Sequence, residues 1–331
     1  MKVAIVKLSA MGDIIHAMVA LQYIKEANPT IEIDWIVEEC FIQILENNPH
    51  INKLFPLNLK AIKKSKLEIF TEIKKVKSYA NNDYDLVIDA QGLLKSAITA
   101  KLLGQKRAGF SKTSIREGIA SYFYHQKVEI AYHANTIDRN AKVLSEPLGI
   151  NITPEMIIEK KPFLFYQEEN NLEEYLSKNK KNIIFVIGST WESRNYPKEK
   201  FVEVANHLKE NVLIAWGDEE ERTRAKWIEE KSKYAKALPK INLNSLKAII
   251  AKADLLIGND TGPTHMAWGL NIPSITIFGP TPVNRVYETP INKTIKSKSE
   301  VDHYRLDKND FSIKKIPSHR VILMAKELLN G

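Results

Sequence analysis

The sequence predicts an α/β protein of two doubly wound domains, each a parallel sheet covered by helices, with a central cleft between them. Three observations carry that expectation. The chain holds 331 residues, beyond the size at which one hydrophobic core keeps growing, and domains typically hold about 100–200 residues. Short β-branched runs alternate with longer periodic segments in both halves, which is the pattern of buried parallel strands joined by crossover helices. Between the halves the periodicity fades over residues 151–181, where Pro154, Pro162 and a polar run at 167–171 interrupt it.

Taken in order, residues 3–8 read as a strand, 14–27 as a helix, 31–37 as a second strand and 86–89 as part of a third. Helices follow over 96–103 and 135–148, the latter ending at Gly149, a residue suited to a helix end. The second half opens with a strand over 183–187 and a helix over 198–209. A strand over 212–216, helices over 219–231 and 243–253, and a strand over 255–257 come next. The last elements are a helix over 263–270, a strand over 274–278 and an amphipathic helix over 318–329. The expected organisation is a first domain over 1–155, a linker over 156–181, a second domain over 182–312, and a C-terminal helix over 313–331 packing back on the first domain.

A hydrophobic share of 44% and a charged share of 27% supply enough apolar material for two cores and exclude a disordered chain. The single cysteine, Cys40, excludes an internal disulfide and reads as core filler in a reducing compartment. The opening Met1-Lys2-Val3-Ala4-Ile5-Val6 lacks the apolar run of a signal peptide. Nor does any stretch have the roughly 18 apolar residues of a membrane span. A soluble, cytoplasmic body is expected.

The formal charge of +8 is uneven. Seven lysines, at 60, 63, 64, 66, 74, 75 and 77, face only Glu68 and Glu72. Lys101, Lys106, Arg107, Lys112 and Arg116 follow in the same half. A cationic surface attracts an anionic partner through its long-range field, and nucleic acid, a phosphorylated small molecule and an anionic membrane all qualify. A lysine run by itself is equally compatible with a solvated helix face.

Chemistry concentrates at predicted strand ends, where ligands of doubly wound sheets bind. After the strand ending at Ile257 and Gly258 comes Asn259-Asp260-Thr261-Gly262-Pro263-Thr264-His265, which enters a helix. Asp or Thr can cap it, Gly262 admits close approach of a ligand, and Pro263 suits a first helical turn. Free amides at the positive end of a helix favour a diphosphate, although an ordinary capped helix has the same residues. A second strand end carries Gly188-Ser189-Thr190 and then Arg194, hydroxyls and a cation suited to phosphate oxygens. A third, Trp216-Gly217-Asp218-Glu219-Glu220-Glu221, offers carboxylates for ribose hydroxyls. Their convergence on one edge makes a nucleotide cleft the better reading.

In the first half, Lys7-Leu8-Ser9-Ala10-Met11-Gly12-Asp13-Ile14-Ile15-His16 joins a strand to a helix through one glycine. That is neither a dinucleotide fingerprint nor a P-loop, which argues against a nucleotide-sugar epimerase or dehydrogenase. Asp13 suits either an N-cap or a general base. Asp89, at a strand end, is the reserve candidate for the base. Asp83-Tyr84-Asp85 has a spacing used by metal-dependent transferases, but it precedes a strand rather than ending one and reads as loop.

Three motifs together, Ser9-Ala10-Met11-Gly12-Asp13-Ile14-Ile15-His16, Val87-Ile88-Asp89-Ala90-Gln91-Gly92-Leu93-Leu94-Lys95-Ser96 and Asn259-Asp260-Thr261-Gly262-Pro263-Thr264-His265-Met266-Ala267, resemble glycosyltransferase family nine. They occur in the family's order, and the resemblance covers nearly the whole chain. It implies a GT-B fold, two Rossmann-like domains facing a central cleft, and metal-independent, inverting transfer of L-glycero-D-manno-heptose from an ADP-heptose donor to a Kdo residue of Kdo2-lipid A. The family's catalytic aspartate falls on Asp13, and its donor contacts fall on Ser189, Thr190, Glu221, Ile241, Asp260, Thr261, Gly262 and His265. A donor-phosphate lysine of close relatives is matched by Arg194, which keeps the charge and changes its geometry.

For the acceptor, Arg116 matches a family cation, Lys60, Lys63 and Lys64 match in kind, and Gln91 and Lys95 come from the middle motif. No metal and no cofactor beyond the donor is implied, and a monomer without nucleic-acid partners is expected. The acceptor implies peripheral placement on the cytoplasmic face of the inner membrane. Two alternatives stay open: a later heptosyltransferase with the same donor site, and a nonenzymatic module for an anionic ligand or membrane. The latter leaves the converging strand ends unexplained, and no nucleic-acid-binding signature supports it.

Overall fold

The computed structural model describes residues 1–168 and 170–330, with the side chains of Lys63, Lys64, Asn170 and Asn171 outside that description. The chain divides into two compact units, Met1–Phe165 and Tyr166–Gly331. The division falls inside the stretch expected to be a linker.

The first unit runs β1 (Lys2–Val6), α1 (Met11–Ala27), β2 (Glu32–Glu38), α2 (Ile42–Leu45), β3 (Lys53–Leu57), α3 (Leu59–Lys64) and α4 (Glu68–Ala80). It continues with β4 (Leu86–Asp89), α5 (Leu94–Leu103), β5 (Arg107–Phe110), β6 (Gln126–Val128), α6 (Thr136–Ser145) and α7 (Pro154–Ile158). Its strands form one sheet in the order β3-β2-β1-β4-β5-β6, with every pairing parallel. The central strands are buried on both faces, as their unbroken apolar runs require. Val76 of α4 and Ala100 and Leu103 of α5 pack on Ala4, Val6 and Val87. Helix α1 lies against α6 and is buried at every position from Ile14 to Leu21, so it is covered on all sides, as its nearly continuous apolar sequence requires. The turn at Gly149 adopts φ 71°, the left-handed conformation that favours glycine at a helix end.

The second unit runs β7 (Asn182–Val186), α8 (Lys198–Leu208), β8 (Asn211–Ala215), α9 (Glu219–Lys231), β9 (Ala235–Ala237) and α10 (Leu243–Ala251). Then come β10 (Leu255–Asn259), α11 (Gly262–Gly269), β11 (Ser274–Phe278), β12 (Asn292–Lys296) and α12 (Ser318–Asn330). Its sheet has the order β12-β11-β10-β7-β8-β9, again parallel throughout. Counted from β7, this is the same strand permutation as the first unit, the Rossmann order. In both, the first and fourth strands lie side by side and their connections leave in opposite directions. That juncture is where such folds take ligands.

One expectation is corrected: Cys40 is exposed rather than core filler, and the Lys60 ammonium donates to its Sγ at 3.5 Å. The last helix packs on α8, and Val321, Ile322 and Ala325 join the core formed with Ile257, Ile277 and Phe201. Each large aliphatic side chain so buried contributes about 1.5–3 kcal/mol. No helix among the described residues is long and apolar enough to cross a membrane.

Candidate active site

In the second unit the strand ends β7 and β10 are bolted together before any charge is considered. The Asn259 amide donates to Ile187 O at 2.8 Å and its Oδ1 accepts from Tyr196 N at 3.0 Å. Gly258 permits this closeness, because a Cβ there would stand 2.7 Å from Val186 Cβ and 2.6 Å from Thr264 Oγ1. Thr264 in turn donates to Asn259 O at 2.7 Å, fixing the entry of α11.

On this frame sits Asp260, 2% exposed. Its Oδ2 accepts from Arg194 Nη2 at 2.9 Å and from Thr281 Oγ1 at 2.8 Å. Its Oδ1 lies 3.3 Å from His265 Nε2, one turn into α11. Burial by itself would raise the carboxyl. Arg194, His265 and Arg285 overcome it and hold Asp260 ionised, well below the usual carboxylate range. Both oxygens are thus spent on protein partners, so Asp260 orients a cation and an imidazole rather than offering a free acceptor. Such a desolvated pair costs about 3–5 kcal/mol to break from one side. Arg194 also stacks 5.5 Å from the Trp191 ring centre, which limits where its guanidinium can swing.

The neighbouring strand end is shaped by Glu221. Asp218 caps α9 by accepting from Glu221 N at 2.9 Å, and Glu221 Oε2 accepts from Gly217 N at 2.7 Å. Burial pushes the Glu221 carboxyl upward. Its Oε1 occupies the space over Gly188, where a Cβ would meet it at 1.6 Å. Gly188 is therefore glycine to admit Glu221. Ser189 is half-buried with a buried Oγ that has no partner among the described residues. Thr190 is exposed, and Thr261, Gly262 and Ile241 are half-buried. Thr261 precedes α11 without a side-chain cap, so the capping expectation fails and its hydroxyl stays available.

In the first unit Asp13 is the third residue of α1 and half-buried. It is not the N-cap; Ala10 holds that place, and Ala10 N donates to Asp13 Oδ2 at 3.5 Å, a long contact. The Ser9–Ala10 peptide bond is cis. Asp89, the reserve base, is fully buried. It accepts from Tyr124 Oη at 2.6 Å, Gln91 N at 2.8 Å and Gly92 N at 3.1 Å, and burial pushes its carboxyl upward. Those bonds leave it a structural acid and remove it as a base. Between the two lies Lys7, 5% exposed, whose ammonium donates to Ala90 O at 2.8 Å. Burial lowers its pKa, against the pull of Asp13 and Asp89.

Gln91, expected to bind acceptor, also has a structural part. Its Oε1 accepts from Leu8 N and Ser9 N, each at 3.1 Å, so it holds the turn that leads into Asp13. Lys95 is exposed at the start of α5 and Arg116 is exposed in the segment beyond β5. Glu117 ties these two segments, accepting from Leu94 N at 2.7 Å. Lys60 is exposed on α3, while the side chains of Lys63 and Lys64 lie outside the described residues.

Sequence reasoning missed Thr281 and Arg285, which follow β11 in the run Gly279-Pro280-Thr281-Pro282-Val283-Asn284-Arg285. No helix-entry pattern marks that loop. The one available signal was its position after a central strand of the same sheet. It also missed Lys7, which reads as the polar end of a strand until the sheet buries it.

A profile of Glycosyltransferase family 9 (heptosyltransferase) matches residues 73–311. Lipopolysaccharide heptosyltransferase 1 of Campylobacter coli is 39% identical, with 99% of each chain covered. The enzyme of the same name from Pseudomonas aeruginosa is 31% identical over 85% of this chain and 79% of its own length. Among solved structures, the Escherichia coli heptosyltransferase WaaC with ADP-2-deoxy-2-fluoro heptose superposes with a TM-score of 0.80 at 26% identity, covering 99% of both chains. The paired Rossmann units are thus those of a GT-B enzyme, and the chain belongs to glycosyltransferase family 9, the heptosyltransferases.

Proposed function

We propose that this enzyme moves L-glycero-D-manno-heptose from ADP-heptose to a Kdo residue of Kdo2-lipid A, in the inner core of lipopolysaccharide, with inversion at the anomeric carbon. The observation that carries the donor half is the Arg194–Asp260–His265 constellation at the entry of α11. A cation aimed by a buried carboxylate, beside a helix N-terminus and the hydroxyls of Thr261 and Ser189, is suited to the diphosphate of a departing ADP. Charge that grows on that diphosphate in the transition state is met by groups fixed in advance, which is where electrostatic catalysis gains most. Glu221 offers a carboxylate to ribose hydroxyls, and Ile241 packs against the base.

Asp13 is the general base. It takes the proton of the attacking Kdo hydroxyl as the new glycosidic bond forms, the bond to ADP breaks, and the electron pair leaves with the β-phosphate. Lys60, Lys95 and Arg116 are the described cations offered to the phosphates and carboxylates of the acceptor. The reading needs no metal and no cofactor other than the donor substrate. A monomer, acting at the cytoplasmic face of the inner membrane, completes it.

The test incubates purified enzyme with ADP-heptose and separate acceptors: Kdo2-lipid A, the same acceptor already carrying one heptose, and a Kdo-free lipid A. Transfer to the first alone is expected. Transfer only to the heptosylated acceptor would assign the chain to a later step and overturn the choice of Kdo.

A further inference from the structure

The surface of the first unit beyond the active-site turns is unusual in two ways at once. Its helix α4 exposes Leu67 just before its start and Phe70 within it, at 75% and 70%. Spaced with Lys74 and Lys77 at helical intervals, these side chains form one stripe, apolar at the N-terminal end and cationic further along. Helix α5 packs beside α4 and adds exposed Leu94 and Ile98, with exposed Lys95 and Lys101 on the same outer side. The 3-10 segment Gly118–Phe123 packs on α5 in turn. It exposes Ile119 at 66% and Tyr122 at 71%.

Charge follows the same elements. Residues 60–77 and 94–127 together hold 14 Lys and Arg against 3 Glu, whereas the rest of the chain holds 34 against 37. The whole cationic excess of the protein therefore lies on the segments that expose these apolar side chains. A protein partner is matched by a compact apolar patch with a polar rim. Separated large apolar side chains projecting from a field of lysines match an interfacial surface, where the rings and aliphatic chains enter the acyl boundary and the ammonium groups meet phosphates.

We infer that the α4, α5 and Gly118–Phe123 face is a membrane-docking surface for an anionic bilayer, with Leu67, Phe70, Ile119 and Tyr122 as the inserted side chains. The choice of a bilayer as occupant rests on the lipid-acceptor reading. The described cations Lys74 and Lys77 are the electrostatic part of the contact. Neither is among the cations assigned to the acceptor, so docking can be tested without altering acceptor capture.

The experiment is sedimentation of the full chain with vesicles of phosphatidylglycerol and phosphatidylethanolamine, and with phosphatidylcholine alone, without substrates. The wild type is expected to bind the anionic vesicles and to leave the neutral ones in solution. Leu67→Ser with Phe70→Ser should weaken anionic binding at least tenfold, and Ile119→Ser with Tyr122→Ser by a similar factor. Lys74→Glu with Lys77→Glu should abolish the salt-sensitive part. Each variant should keep the wild-type melting temperature and the wild-type rate on a deacylated, water-soluble acceptor. Equal binding by the apolar variants, equal binding to phosphatidylcholine, or a dimer that the apolar substitutions dissolve would overturn the inference. Failure of transfer to the soluble acceptor with vesicle binding intact would instead count against the lipid-acceptor reading alone.

Discussion

The two units share a strand order and yet bury opposite things at the same place. In each, an aspartate stands at the end of the fourth strand, Asp89 in the first unit and Asp260 in the second. Asp89 takes its hydrogen bonds from neutral donors, the Tyr124 hydroxyl and two backbone amides, and burial pushes its carboxyl upward. Asp260 is surrounded by Arg194, His265 and Arg285, and its carboxyl is held down. Topology alone does not make a strand-end acid functional. The charges brought to it by the neighbouring loops decide whether it is a structural tie or the anchor of an electrostatic site. In the mechanism proposed above, the first unit keeps its chemistry one strand away, on Asp13.

If the first unit supplies the proton transfer and the second the leaving-group site, substitutions should divide cleanly between them. The largest expected effect is Asp13→Ala, which should lower kcat by about 10³-fold, within the range of lost general-base catalysis. ADP affinity by calorimetry and the melting temperature should stay at wild-type values. A parallel loss of ADP binding would dissolve the division of labour.

Arg194→Ala should lower kcat by about 10²-fold and weaken ADP binding as well. It also strands a buried carboxylate, at about 3–5 kcal/mol. The sign with pH is definite. A carboxyl held below its unfolded value stabilises the fold above that unfolded value, and the contribution is lost as pH falls through the folded one. Removing Arg194 raises the folded value, so acid unfolding followed by circular dichroism should begin at a higher pH than in the wild type. An unchanged acid midpoint would mean that Arg194 is not the group holding Asp260 ionised.

Gly188→Ala should act through Glu221, displacing its carboxylate and raising KM for ADP-heptose about tenfold, with an overpacking cost of about 1–3 kcal/mol. Unchanged donor KM would detach Glu221 from the donor. The smallest effect belongs to Gln91→Ala, which frees two backbone amides of the turn before Asp13. A fall in kcat of about threefold to tenfold is expected for about 1 kcal/mol of lost bonding, with the KM for Kdo2-lipid A unchanged. A rise in that KM with constant kcat would restore Gln91 as an acceptor contact.

The sequence was most readable where strands are buried on both sides. β1, β2, β4, β7, β8, β10 and β11 carry apolar runs that announce them. The sheet edges were silent: β3 contains Pro56, β6 is Gln-Lys-Val, β9 is Ala-Lys-Ala, and β12 alternates lysine with threonine and isoleucine. Edge strands meet solvent and tolerate proline and charge, so the buried-strand signal is absent from them. β5, an interior strand, was missed because Arg107 and Gly109 interrupt it.

The site divides in the same manner. Asp260 and His265 were legible because a helix entry marks their turn, and Arg194 because it follows another strand end; the fold brings the three together. Thr281 and Arg285 were not, since only the packing of the loop after β11 delivers them. Gln91 was visible as part of the middle motif, while only three dimensions reveal the amides it holds.

The close fit of Glu221 over Gly188 carries a consequence for how this enzyme can change. A side chain at position 188 displaces the glutamate at position 221, whereas a shorter residue at 221 would release the restriction. The less costly order of substitution therefore alters 221 first and 188 second. Any enzyme derived from this one that has lost the glycine is expected to carry the earlier change as a relic beside it.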